Sequence, residues 1–242
     1  MRSSVYKRHI NNFSNHWWFQ ARKKIIEEII KKKLRKNLCI LDFGAGSGIN
    51  VEMLSKFGFV NIYEPHKETK KYLQTKYSNK KKFRVLNKIN NMKFDLIILA
   101  DVLEHIRNDK DQIMKLNKNL NQNGHILITV PAYQFLFSSK DSVLKHFRRY
   151  NKQEIKEIFK QFNTIKLTYF NFFLFPPIAL TLIICKIFKV KFIKTVENSP
   201  SYLINKLLFN IFNIEKKMIN IFNLPFGLSI LGPVSYTHLT LP

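Results

Sequence analysis

Ile40-Leu41-Asp42-Phe43-Gly44-Ala45-Gly46-Ser47-Gly48 decides how this chain is read. An apolar strand carries an acid near its end and runs into three alternate glycines. Glycine reaches left-handed backbone angles without steric cost, and it lets the main chain approach a ligand that any Cβ would block. A helix is expected over 50–57, so the stretch reads as strand, tight turn and helix. That succession opens the crevice at which doubly wound parallel sheets bind nucleotides.

Asp42 selects among nucleotides. A dinucleotide site sets a pyrophosphate at the helix N-terminus, where a neighbouring carboxylate would repel it. S-adenosyl-L-methionine carries an ammonium and a sulfonium, and an acid attracts both. The spacing is also G-x-G-x-G, where dinucleotide folds use G-x-G-x-x-G. Both features favour S-adenosyl-L-methionine. A second acid agrees with them. The apolar run 59–63 ends in Glu64, twenty residues beyond Gly44, where such folds place the carboxylate that holds ribose hydroxyls.

Outward from this turn, apolar runs alternate with helical patterns. Strands are expected at Leu38–Phe43, 60–64, Phe83–Leu86, Phe94–Ala100, 125–130 and 165–169. Helices are expected over 12–36, 67–76, 109–120 and 151–162, the last opened by an Asn151/Glu154 capping box. Residues 121–124 read as a turn. Phe94–Ala100 is apolar except for Asp95, as a strand covered on both faces must be. The alternation predicts an α/β fold with a doubly wound, mainly parallel sheet. An N-terminal helical segment (1–36) precedes the cofactor domain (37–170), and an apolar helical appendage (171–233) follows it.

The chain has 242 residues, 45% of them hydrophobic, and its 41 Lys+Arg against 16 Asp+Glu give a net charge of +25. Such a field attracts nucleic acid or an anionic membrane face. Lys, Asn and Ile also recur throughout, as translation of an AT-rich gene would give. Cys39 and Cys185 are the only cysteines. They supply neither a disulfide framework nor a zinc set, so no metal is expected and a reducing cytoplasm fits. The polar first residues show no signal peptide.

Ligands in this architecture lie outside the carboxyl ends of the strands. Asn87 then faces the adenine, and Asp101 to His105 line the space beside the transferable methyl. His105 could accept a proton from an acceptor hydroxyl or amine, or with Glu104 merely cap the next element. Trp17 and Trp18, in His16-Trp17-Trp18-Phe19, dock a helix on the sheet, form a lid over the ligand, or do both. His146-Phe147-Arg148-Arg149-Tyr150 follows Asp141. It suits a phosphate or carboxylate on the acceptor, or it fixes its own loop by salt bridges.

The motifs LDFGAGSG, YEP, FDLIILADVLEHI, NGHILITVPAY and HFRRY, in that order, resemble class I S-adenosylmethionine-dependent methyltransferases. They are most similar to a subgroup with an HWWF element found among glycan- and lipid-linked biosynthesis enzymes. The resemblance covers about residues 12–231. It implies a Rossmann-like fold and cofactor contacts at Asp42, Gly44, Gly46, Gly48 and Glu64, to which position in the turn and at the strand ends adds Ala45, Asn87 and Asp101. From their chemistry and placement, His105 or His146 is the candidate base, and Trp17, Trp18, Arg148, Arg149 and Tyr150 are the candidate acceptor contacts. Asn123-Gly124 departs from the paired glycines common in the family. Enzymes that methylate nucleic-acid amines carry an Asn/Asp-Pro-Pro-aromatic signature after strand four, and this chain has Asp101-Val102-Leu103-Glu104 there. Nucleic acid is therefore not the expected partner. A non-catalytic protein that only senses the cofactor is the other reading.

In the appendage, a 14-residue apolar run at 172–185 is broken by Pro176-Pro177 and followed by Lys186, Lys189, Lys191 and Lys194. It is short for a spanning helix, which needs ~20 residues, and suits an interfacial segment with snorkelling lysines. Ile204, Leu207, Leu208, Ile211, Phe212 and Met218 form a helical stripe beyond it. The expected location is the cytoplasmic face of the inner membrane, with a small or lipid-linked acceptor, a glycan or a quinone-like lipid. Residues 234–242 resemble a sequencing adapter translated in frame and are expected to be foreign to the natural protein.

Overall fold

The computed structural model describes residues 16–34, 36–164, 166–189 and 200–235. The expectations for 12–15, Ile165, Lys191, Lys194 and 236–242 fall outside them. Eight strands build one sheet: β1 Leu38–Phe43, β2 Gly58–Tyr63, β3 Phe83–Leu86, β4 Phe94–Ala100, β5 Leu120–Pro131, β6 Asn163–Thr164, β7 Thr168–Phe170 and β8 Ser229–Ser235. Its helices are α1 Trp17–Lys33, α2 Val51–Leu54, α3 Lys67–Tyr77, α4 Asp109–Asn117, α5 Ser139–Val143, α6 Lys152–Ile158, α7 Phe175–Ile187 and α8 Tyr202–Ile221. Helix α6 has the expected capping box, Asn151 and Glu154 each accepting the other's backbone N–H.

The strand order is β3-β2-β1-β4-β5-β8, and β6 and β7 share the last edge by both pairing with β8. β1 to β5 are parallel to their neighbours, and β8 enters antiparallel. The sheet is therefore doubly wound and mainly parallel, as the alternation predicts. The chain winds outward in opposite directions from β1 and from β4, so the crevice lies where Asp42 and Asp101 leave the sheet.

Central strands are continuous apolar runs because helices or loops cover both faces. Ile40, Leu41, Leu96, Ile97, Ile98, Leu99, Ile126 and Ile128 are fully buried. Asp95 sits among them without penalty, because it accepts from Cys39 N–H and from the Asn121 side-chain amide, each at 2.7 Å. The turn expected at 121–124 is instead an irregularity inside β5. Phe94 pairs with Leu120 but Leu96 with His125, and Asn123 takes a positive φ of 62°. The extra residues bulge, and the strand continues.

The largest departure is β8. Sequence reading leaves 229–233 in the helical appendage, yet these residues are an interior strand between β5 and the β6/β7 edge. Ile230, Leu231 and Val234 are fully buried. Val234 and Ser235, assigned by sequence to a foreign end, pair with Ile126 and His125.

Helix α1 packs by Ile25, Ile26, Ile29 and Ile30. Its aromatic start is a dock. Trp18 stacks on Phe170 with ring centroids 5.6 Å apart, and Trp17 lies 5.2 Å from Phe212 and donates its N–H to Asn205 at 2.8 Å. Helix α8 therefore buries Phe212, Glu215 and Ile219 against the domain. Glu215 accepts from the N–H of Asn171 and, at 2.9 Å, from that of Phe172, which ties α8 to the end of β7. Burial pushes this carboxyl up to about 7. The expected stripe is rotated by this packing, and Ile204 and Leu207 point outward.

Candidate active site

The glycine turn hangs from β2. The N–H groups of Gly44 and Ala45 both donate to Tyr63 O, at 2.8 and 3.2 Å, and Gly46 N–H donates to Glu64 Oε2 at 2.8 Å. Glu64 also accepts from His66 N–H at 2.8 Å, so it shapes the turn from below. The three glycines all have positive φ but different neighbours. A Cβ on Gly44 would meet Val102 at 2.9 Å, and one on Gly48 would meet Leu73 at 2.9 Å. A Cβ on Gly46 would meet nothing within 4 Å. Gly44 and Gly48 thus serve close packing, and Gly46 fronts open space.

Asp42 is buried beside that turn, and its Oδ2 has no hydrogen-bond partner. Burial and the Glu64 charge push its carboxyl up to about 7, against the pull of Arg22. A buried acid left without a donor is costly, and a cationic ammonium would supply what is missing. The donor set is one that S-adenosyl-L-methionine would fit, with Asp42 to meet the amine, Gly46 to allow close backbone approach and Glu64 to meet ribose hydroxyls. Asn87 is exposed and lines a cavity of about 380 Å³ at the end of β3 with Leu86 and Met92.

Asp101 holds a left-handed φ of 57° at the end of β4, a conformation a non-glycine residue keeps only when its surroundings impose it. Thr129 does so, donating its hydroxyl to Asp101 Oδ1 at 2.7 Å and accepting Asp101 N–H. The other carboxylate oxygen is ion-paired with Arg22. Sequence reading gives Arg22 no role, although a signal is there: it stands three, four and seven residues before Ile25, Ile26 and Ile29, on the buried stripe of α1. A charge on such a face must find a buried partner. Asp101 thereby engages α1 and β5, and it reaches the cofactor side only by its position.

After β4, Glu104 is buried with Oε2 unpartnered, and burial pushes its carboxyl up to about 8. His105 and His146 meet edge to face, ring centroids 4.7 Å apart. Loss of water around the ring, then the neighbouring His146, lower the His105 imidazole to about 4, although the residue remains exposed at the surface. His146 Nδ1 lies 2.9 Å from Asp141 Oδ1. The structure brings His105 and His146 together.

Arg149 and Tyr150, expected to contact the acceptor, have partners within the protein. Arg149 grips Asp141 through Nε at 3.0 Å and Nη2 at 2.9 Å. Burial alone would raise the Asp141 carboxyl, but His146 and Arg149 outweigh it and hold it well below the usual range. Tyr150 is 1% exposed, and its hydroxyl donates between Leu103 O and Asp109 Oδ2. Both residues fix the loop that presents His146. Arg148 is half-buried, donating from Nη2 to Arg107 O at 3.0 Å and lying 3.5 Å from Asp109 Oδ2. Trp17 and Trp18 pack on Phe212 and Phe170 and so dock α1.

A winding of this order, with an acid near the end of β1, a glycine turn and a second acid after β2, is that of an α/β domain that binds a nucleotide-like cofactor. The family model described as a methyltransferase domain matches residues 14–164, and the chain belongs to that family. Its cofactor is S-adenosyl-L-methionine. A ubiquinone biosynthesis O-methyltransferase of Rickettsia typhi is 30% identical in an alignment 166 positions long, with 55% of this chain and 66% of the relative covered. The match thus spans just under two thirds of that protein. Among solved structures, the mycolic acid cyclopropane synthase CmaA1 in its apo form superposes with TM-score 0.57 at 11% identity, covering 97% of this chain and 99% of the other. Phosphoethanolamine N-methyltransferase 2 of Haemonchus contortus, solved with S-adenosyl-L-methionine, gives 0.55 at 18% identity, over 88% and 52% of the two chains. At these identities the two structures show the fold.

Proposed function

We propose that the chain transfers the methyl group of S-adenosyl-L-methionine to a hydroxyl of a small, quinone-like lipid held at an anionic membrane surface. What supports the reading is that two sets of polar groups lie at or beyond the carboxyl ends of the parallel strands β1, β2, β4 and β5. Asp42, Gly46 and Glu64 form the cofactor side, and Glu104, His105 and His146 offer polar, partly free atoms where an acceptor hydroxyl would arrive. The acceptor oxygen loses its proton to water and attacks the methyl carbon in line. The new O–C bond takes an oxygen lone pair, the C–S pair returns to sulfur, and S-adenosylhomocysteine leaves. In-line placement of the two reactants supplies most of such a rate gain. The Rickettsia relative supports an oxygen acceptor by its name.

The surface part rests on α7 and α8. Leu180, Ile187 and Phe188 on α7 are 60%, 69% and 73% exposed, and Tyr202 and Leu203 on α8 are 75% and 76% exposed. Lys186, Lys189 and Lys206 flank them. Among the described residues no helix is long and apolar enough to cross a membrane. Apolar side chains ringed by lysines suit the interface between headgroups and acyl chains, and each lysine near an anionic surface contributes about 1 kcal/mol.

One assay tests both parts. A prenylated catechol in anionic vesicles and a water-soluble catechol are each offered with S-adenosyl-L-methionine, and O-methylated product is measured. Both are expected to be methylated. Ile187→Glu with Phe188→Glu is expected to lower turnover of the vesicle-bound acceptor at least tenfold and to leave the soluble one unchanged. Absence of O-methylated product from both acceptors overturns the acceptor reading. Equal turnover by the variant on vesicles overturns the membrane reading.

A further inference from the structure

We propose that Glu104, His105 and His146 bind a divalent first-row metal cation, which receives the acceptor's hydroxyl oxygen. This rests on the reading of that side of the crevice as the acceptor side. Three observations carry it, each independent of the others.

The first is the convergence of donors. One ligand atom from each of the three side chains lies within 4.8 Å of the other two. A cation bound about 2.0–2.2 Å from nitrogen and oxygen donors holds them roughly 3–3.5 Å apart, so modest side-chain rotations close the set. The second is the orphaned oxygen. Glu104 is 1% exposed and its Oε2 has no partner, and an unmet buried acceptor of that kind is destabilising unless something positive completes it.

The third is the support behind His146. Its Nδ1 bonds to Asp141 at 2.9 Å, and Asp141 is itself clamped by both Arg149 contacts and by Ser138 N–H at 2.9 Å. A carboxylate that fixes one imidazole nitrogen orients the ring and leaves the other, here Nε2, as a ligand of raised basicity. This arrangement also gives a purpose to the Asp141–Arg149 pair, which would otherwise only brace a loop.

Two imidazoles and one carboxylate suit zinc, cobalt, manganese or iron better than calcium. Three protein ligands leave positions open, and the exposure of His105 puts them on the solvent side where an acceptor enters. The segment is also coupled to the cofactor turn, since Val102, two residues before Glu104, packs against Gly44. A cation there lowers the pKa of a coordinated hydroxyl and stabilises the oxyanion that attacks the methyl. The proton goes to water, and no redox change is involved.

The test reads metal binding directly and needs no acceptor. Untagged full-length protein, stripped with chelator and desalted, is titrated with Co²⁺ by calorimetry and by visible absorption. One cation per chain is expected, with absorption bands of nitrogen- and oxygen-ligated cobalt. His105→Ala and Glu104→Gln are each expected to weaken binding at least tenfold while S-adenosyl-L-methionine affinity stays within twofold. No bound Co²⁺ at millimolar concentration, in protein that still binds the cofactor, overturns the proposal. Binding unchanged in both variants overturns it as well. Cobalt binding without any methylated catechol would instead count against the acceptor reading and leave the metal site standing.

Discussion

Asp42→Asn is expected to weaken S-adenosyl-L-methionine binding about a hundredfold, near 3 kcal/mol, in calorimetric titrations. The carboxylate is buried with Oδ2 unpartnered, so the ligand's ammonium would be its missing partner, in a site where water screens little. The charged groups facing Asp42 are Arg22 from α1, Glu64 from the end of β2 and Tyr77 from α3. Because burial holds the carboxyl near 7, cofactor binding should ionise it and release a proton at neutral pH. Affinity is then expected to fall as pH drops below about 7, approaching tenfold per unit, and the Asn variant should lose this dependence. The sign for stability runs the other way. A carboxyl whose folded pKa is raised favours the folded state at low pH and loses that contribution as pH rises toward 7. The cofactor-free Asn variant should therefore be no less stable than the parent at pH 8. Undiminished affinity in the variant would remove Asp42 from the site.

Arg22→Met is expected to cost about 3 kcal/mol of folding stability, read from urea unfolding. The arginine is ion-paired with Asp101 and lies close enough to Asp42 and Glu104 to oppose their raised pKa values. Methionine keeps the volume on the buried stripe and deletes the only charge from it. The figure is held to the lower end for a buried pair because the Asp101 side chain keeps 30% of its exposure. The deficit should shrink below about pH 6, where Asp42 takes up a proton and no longer needs a counter-charge. A loss that is equal at pH 5 and pH 8 would show that packing and not charge is what Arg22 supplies.

The cofactor side of this molecule is legible in the sequence because its determinants are local. Asp42 to Gly48 lie on one strand and its turn, and Glu64 is a single helix away. Periodicity likewise places β1, β3 and β4 at their observed bounds, because long apolar runs leave little choice. What local pattern misses is tertiary. β8 carries Gly232-Pro233 in mid-strand, a pair that reads as a turn, and only the neighbours β5 and β7 make it a strand. Arg22 and Asp101 are 79 positions apart, so neither announces the other. Arg149 has few acids beside it along the chain, yet the fold of the loop lays Asp141 against it. Spacing leaves both a ligand's role and a loop-fixing salt bridge open for Arg149, and the fold shows the second.

The most direct measurement of the cofactor site is a calorimetric titration of Gly46→Asn with S-adenosyl-L-methionine, beside the parent chain. Asparagine tolerates the left-handed φ of 55° at this position, and no protein atom lies within 4 Å of a Cβ there, so the fold should be retained. The parent is expected to bind one cofactor per chain. The variant is expected to bind at least a hundredfold more weakly with an unchanged unfolding temperature, because its side chain occupies the ligand's space. Equal affinity in the two proteins would contradict the placement of S-adenosyl-L-methionine against this turn.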